Sequence, residues 1–122
     1  MVATKPPFPF PCPVCGYLTF AEPPGSYDVC GVCGWEDDAL QLEFATSLAG
    51  GANPTTLADA QEAFLKAEVR LARQGAGVPR VRDPKWRPID GARDRFPEWE
   101  GGAKERAPSG DSAVLYYWLE KS

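Results

Sequence analysis

No histidine occurs among the 122 residues. That absence removes Ser-His-Asp and Cys-His nucleophile pairs, imidazole general bases and His-ligated catalytic metals. Long apolar runs are also missing. Nothing approaches the roughly 20 apolar residues that span a membrane, and the proline-broken start offers no signal-peptide core. We therefore expect a cytoplasmic protein without a membrane partner. Basic residues are scarce at the start: residues 1–54 hold Lys5 against six acids, Glu22, Asp28, Glu36, Asp37, Asp38 and Glu43. Residues 55–122 are nearly balanced, with twelve bases and eleven acids. The net charge of −4 makes nucleic acid an unlikely partner, because phosphate affinity rests on Lys and Arg.

What is present describes one small folded unit. Apolar residues make up 43% and aromatics 11%, enough for a single modest core. Thirteen prolines, about double the usual share, predict much loop and extended chain. We expect a single domain over 1–122, with a core at 12–75 and an arm at 78–122 packed on it. The short runs Tyr17–Phe20 and Tyr27–Val29 flank a Pro23-Pro24-Gly25-Ser26 turn and predict a hairpin with a cysteine pair at each end. A helix should start at a Thr56 cap, with Asp59 three residues on, and stop at Gly75. Leu57, Ala60, Phe64, Ala67 and Leu71 recur at helical spacing and are read as its core face. Residues 78–110 carry five prolines and read as an irregular arm that is also a candidate binding surface. The aromatic run from Ser112 to Lys121 is read as a strand, with a short helix as the alternative.

The strongest pattern is Cys12-x2-Cys15, fourteen residues, then Cys30-x2-Cys33, each pair followed by glycine, Gly16 and Gly34. A two-residue gap lets both sulfurs of a turn face one ion, and two such turns supply four thiolates. Zinc is the preferred ion. A rubredoxin-like iron site with an electron-carrying role stays open, because four sulfurs suit either metal. Disulfides suit a reducing compartment poorly, and a redox dithiol would need only one pair. A closed four-thiolate site has no position for substrate or water, so the metal is expected to be structural and the protein non-enzymatic.

Two charged clusters follow. Glu36-Asp37-Asp38 is read as a solvated face or helix start, or else as a contact for a basic partner anchored by Trp35, with Glu43 on the same surface. Trp35 is alternatively a cover over the metal site. Arg80, Arg82, Lys85, Arg87, Arg93 and Arg95, interleaved with Trp86 and Phe96, could serve single-stranded nucleic acid. Three acids interrupt them, and the preferred reading lays this arm against the acidic half of the chain.

Cys12-Pro13-Val14-Cys15-Gly16-Tyr17-Leu18-Thr19-Phe20, followed by Pro24 to Asp38, Gln41, the Gly50-Gly51-Ala52-Asn53 loop and the helix from Thr56 to Phe64, resembles the bacterial cysteine-rich CPCC domain family. The resemblance covers roughly the first half and does not reach residues 78–122. Two departures stand out. Val14 occupies a position that is often a third cysteine, and Cys30-Gly31-Val32-Cys33 replaces the usual Cys-Pro-x-Cys. Four ligands remain. The resemblance implies a small metal-binding fold, and its association with toxin modules implies an immunity protein that neutralises a basic toxin domain. A zinc-ribbon regulatory or nucleic-acid-binding protein is the rival. The expected fold is α+β: a zinc-knuckle, ribbon-like β unit, one amphipathic helix and an irregular arm.

Overall fold

A computed structural model of the chain describes residues 8–75, 81–101 and 115–119. Its regular elements are β1 (Phe10–Pro11), β2 (Leu18–Phe20), α1 (Ala39–Glu43) and α2 (Leu57–Arg73). This is a small α+β unit with a two-stranded antiparallel sheet, one long helix and a cysteine cluster.

The single expected hairpin is replaced by two. Phe10 pairs with Phe20 and Pro11 with Leu18 around the first cysteine pair. Val29 bridges to Glu36 around the second. The reason is local. In each C-x2-C-G turn the chain hydrogen-bonds back on itself within five residues, so its flanks meet each other and not the flanks of the other turn. A third extended segment joins the first hairpin. Leu18 N donates to Val81 O at 2.8 Å and Asp83 N to Gly16 O at 2.8 Å, with Tyr17 bridged to Arg82.

Helix α1 went unread in the sequence because it is only five residues long. It forms because Asp38 caps it, accepting from Leu40 N at 2.9 Å and Gln41 N at 3.3 Å. Helix α2 begins as expected at Thr56, whose hydroxyl accepts from Asp59 N at 3.1 Å. It ends at Arg73, two residues before Gly75.

The stripe assigned to the core of α2 joins the core at its start and reaches the surface at its end: Ala60 and Phe64 pack against the core cluster that holds Leu57. Leu57 is fully buried, Ala60 and Phe64 are half-buried, and Leu71 is 41% exposed. Beside Leu57, the helix also turns Gln61 and Glu68 toward the body. Gln61 is buried: its amide donates to Pro13 O and Tyr117 Oη, and its carbonyl accepts from Ile89 N at 2.7 Å. Hydrophobic periodicity finds the apolar face of a helix. Here the polar contacts of the adjoining face decide which side packs.

Buried Phe20, Leu42, Leu57, Trp35, Trp86, Tyr116 and Trp118 surround the cysteines in one core. The described part of the arm at residues 81–101 is irregular and lies on this core. Trp86 is buried, and farther along Trp99 meets Phe44 edge to face at 5.1 Å. Of the strand expected at Ser112–Lys121, residues 112–114 and 120–121 lie outside the described residues. Residues 115–119 make a turn, with Leu119 N bonded to Tyr116 O at 3.4 Å. The turn stacks Tyr116 on Trp118 at 4.6 Å, which adds ring contact to area burial.

Where strands are this short, side chains must satisfy backbone groups. Gln41 is fully buried: its two amide N–H groups are shared among Leu48 O, Asn53 O and Thr55 O at 3.0–3.1 Å, and its carbonyl accepts from Asn53 N at 2.9 Å. It ties α1 to the loop that leads into α2. Gln41→Leu would keep the volume but withdraw that donor and acceptor, and should cost about 3 kcal/mol in chemical denaturation of the metal-loaded protein.

Candidate metal centre

The two cysteine turns are near copies of each other. Cys12 N donates to Tyr17 O at 2.9 Å and Gly16 N to Cys12 O at 2.7 Å. In the second, Cys30 N donates to Trp35 O at 2.8 Å and Gly34 N to Cys30 O at 3.0 Å. Gly16 and Gly34 sit at φ of 76° and 82°, the left-handed region that closing each turn requires.

The turns bring Cys12, Cys15, Cys30 and Cys33 together, with all four Sγ atoms within 4.8 Å of one another. Sγ of Cys12 lies 3.6 Å from that of Cys33, and Cys15 3.7 Å from Cys30. A tetrahedron with metal–sulfur bonds of ~2.3 Å has edges of about 3.8 Å, so the pocket matches one tetrahedrally bound ion. Every donor is sulfur, which suits zinc or iron and not a hard cation. Cys12, Cys15 and Cys30 are buried and Cys33 is half-buried.

The surroundings favour negative sulfur at one point above the others. Cys30 Sγ accepts from the Thr19 hydroxyl at 3.2 Å and from Val32 N at 3.4 Å. Hydrogen bonds from Cys12, Cys15 and Cys33, with Thr19, hold the Cys30 thiol far below the ordinary cysteine range. Burial pushes the Cys12 thiol up. Four thiolates this close in a buried volume repel one another and need a positive ion to coexist there.

The two turns differ in what covers them. Trp86 lies over the first: its indole N–H donates to Pro13 O at 3.1 Å, and a Cβ on Gly16 would sit 2.3 Å from its ring. Arg82 completes the cover. It donates to Cys15 O at 2.9 Å, pairs with Glu68 of α2 at 2.9 Å, and lies over the Tyr17 ring at 4.3 Å. Glu68 also accepts from Tyr17 Oη at 2.7 Å. Over the second turn, a Cβ on Gly34 would meet nothing within 4 Å.

The acidic turn is committed to the fold. Trp35 is 4% exposed, in the core around the cysteines. Asp37 is 2% exposed and accepts from the Ser26 hydroxyl and N–H at 2.6 and 3.2 Å. Burial pushes its carboxyl above the usual range against those bonds. Asp38 is 5% exposed; besides capping α1 it accepts from Ala52 N at 3.0 Å. Glu36 is half-buried, its backbone N–H and C=O both bound to the Asn53 side chain. Glu43 is half-buried at the end of α1. Trp35, Asp37 and Asp38 are therefore inside the molecule, and the helix-start reading describes Asp38.

The basic cluster is partly consumed as well. Arg82 is bound as above, and Arg87 pairs with Asp94 at 2.7 Å. Lys85, Arg93 and Arg95 are exposed, and Arg80 lies outside the described residues. The described part of the arm lies against the first turn, α2 and the end of α1: Arg82 reaches Cys15 O and Glu68, Ile89 N donates to Gln61 Oε1, and Trp99 N donates to Ser47 Oγ.

The family model for cysteine-rich CPCC proteins matches residues 10–87, nearly two-thirds of the chain. The chain belongs to the cysteine-rich CPCC family. No curated protein matches it. The CPCC match runs past the first half and takes in Arg82 and Trp86, the two residues that close the first turn. Sequence reading missed them as site residues. The one available signal was an arginine and a tryptophan set among prolines, too far along the chain to be placed beside Cys15.

The unequal cover makes a direct test. Gly34→Ala should cost about 1–2 kcal/mol, the strain of a left-handed non-glycine residue. Gly16→Ala should cost clearly more, because the same strain is joined by collision with Trp86. Thermal unfolding of both metal-loaded variants measures the difference.

Proposed function

We propose that this CPCC protein is a non-enzymatic, protein-binding module in which zinc holds the fold and takes no part in chemistry. The observation that supports it is the closure of the site. Cys12, Cys15, Cys30 and Cys33 fill a tetrahedral shell, so no position is left for water or substrate. Bound zinc would supply a cross-link between two turns fourteen residues apart and neutralise part of the thiolate charge. In its most concrete form the reading is an immunity protein that binds and neutralises a toxin. Net charge of −4 suits a basic partner, which would be steered to it over long range.

The rival nucleic-acid reading draws less support, since Arg82 and Arg87 spend their charge on Glu68 and Asp94. The electron-carrier reading requires iron in the same four-sulfur site.

Metal analysis of the purified protein should find one zinc per chain and no colour; a red-brown, iron-loaded protein would overturn the structural-zinc reading. Structural zinc in peptides contributes roughly 10–16 kcal/mol of apparent binding energy, as much as a small domain's whole stability. Chelation, or Cys15→Ser, should accordingly abolish the near-ultraviolet dichroism of the buried tryptophans. The partner-binding role is tested separately by co-purification with the products of neighbouring genes, where recovery of a toxin-like protein is expected. Recovery of nothing would sink the immunity role and leave the metal result standing.

A further inference from the structure

Between the second cysteine turn and α2 lies an open groove of about 490 Å³. One wall is the turn itself, with Val32, Gly34 and Trp35. The other is the helical stripe Ala60, Phe64, Ala67 and Leu71, of which Ala60 and Phe64 also touch the core and Leu71 is exposed. This stripe alternates by four and three residues, the spacing that lets one helix run along another. Among the described residues no element covers the groove, and Leu71 at its far end is 41% exposed.

The groove carries its own complement. On α2 the stripe reads small, large, small, large. A second α2 laid antiparallel, with the two-fold axis between Leu65 and Lys66, sets Leu71 of that copy against Ala60 and its Ala67 against Phe64. Each large side chain then meets an alanine. Charge follows the same symmetry. Asp59, Ala63, Lys66, Arg70 and Arg73 form the exposed flank beside the stripe, acidic at its start and basic at its end. The antiparallel arrangement places Asp59 of each copy between Arg70 and Arg73 of the other. Lys66, near the axis, is already paired with Glu62 at 2.9 Å. The opposite flank is unavailable, because Gln61 and Glu68 are bound within their own chain. A two-fold interface must be self-complementary, and this face is so in both volume and charge.

We propose that the groove beside the second cysteine turn receives helix α2 of a second copy of this chain, giving an antiparallel two-fold dimer. This goes beyond the protein-binding role and is independent of it, since capture of a foreign partner reads out separately.

The test is the mass of the full-length, zinc-loaded protein by sedimentation equilibrium. Wild type should sediment with the mass of two chains. Leu71→Glu alters a largely exposed residue and should give the mass of one chain, with unchanged helical dichroism and zinc content. Asp59→Arg should also halve the mass. Adding Arg70→Asp and Arg73→Asp to it should restore the dimer, because the charges are then swapped in both copies. A wild-type protein that stays monomeric at high concentration overturns the proposal and returns the groove to a foreign protein. A Leu71→Glu protein that stays dimeric overturns it as well, by placing the contact elsewhere. Failure of the charge swap to rescue Asp59→Arg overturns the antiparallel pairing.

Discussion

Four sulfurs held within 4.8 Å of one another in a buried volume cannot all carry charge unless a cation sits among them. The rest of the molecule is arranged around that constraint. Among the described residues the regular elements are too few to support a fold unaided: five strand residues, a five-residue helix and one helix of seventeen. A helix alone of that length is marginal, and a two-stranded ribbon is weaker still. One ion joining Cys12 and Cys15 to Cys30 and Cys33 would supply the long-range closure that strand pairing does not. The prolines are tolerable for the same reason, since a chain pinned at four points near its start needs less regular structure to stay in place.

Much of the remaining order comes from side chains bonded to backbone. Gln41 serves three carbonyls, Asp38 three N–H groups, and Asn53 both the N–H and C=O of Glu36. Pro13 O receives two donors, from Gln61 and Trp86. Each takes the place of a ladder bond that a longer sheet would have provided, and each buries a polar group that is costly to leave unpaired. That is why the acidic turn, which looked like surface, is interior.

What could be read from the sequence follows from how local the physics is. The C-x2-C-G turns and the caps of α2 are set by residues within five positions of one another, and the spacing of the cysteines with their glycines is enough to place them. The hairpin pairing was misread because two apolar runs near in sequence looked like partners, while the turns had already paired each run with its own flank. Asp37 and Asp38 were unreadable as buried, since nothing about a carboxylate says that Ser26 and Ala52 will meet it. Trp86 and Arg82 depend on a contact across some seventy residues, and the sequence records the residues but not the contact.

The two cysteine turns share one backbone pattern, and what covers them differs through what the later chain does. Arg82 and Trp86 close the first, spending a cation and an aromatic ring on Cys15 O and Pro13 O. No described residue does the same for the second, where Gly34 has open space and Cys33 is the most accessible of the four ligands. The four-cysteine site is thus closed over on one side only. The helix that could have covered the other side turns Gln61 and Glu68 inward to hold the arm, and this rotation leaves Phe64 and Leu71 facing the groove. The exposure of Leu71 at the end of the apolar stripe is a consequence of closing the first turn. Any surface with which this molecule recognises protein is best sought beside the second.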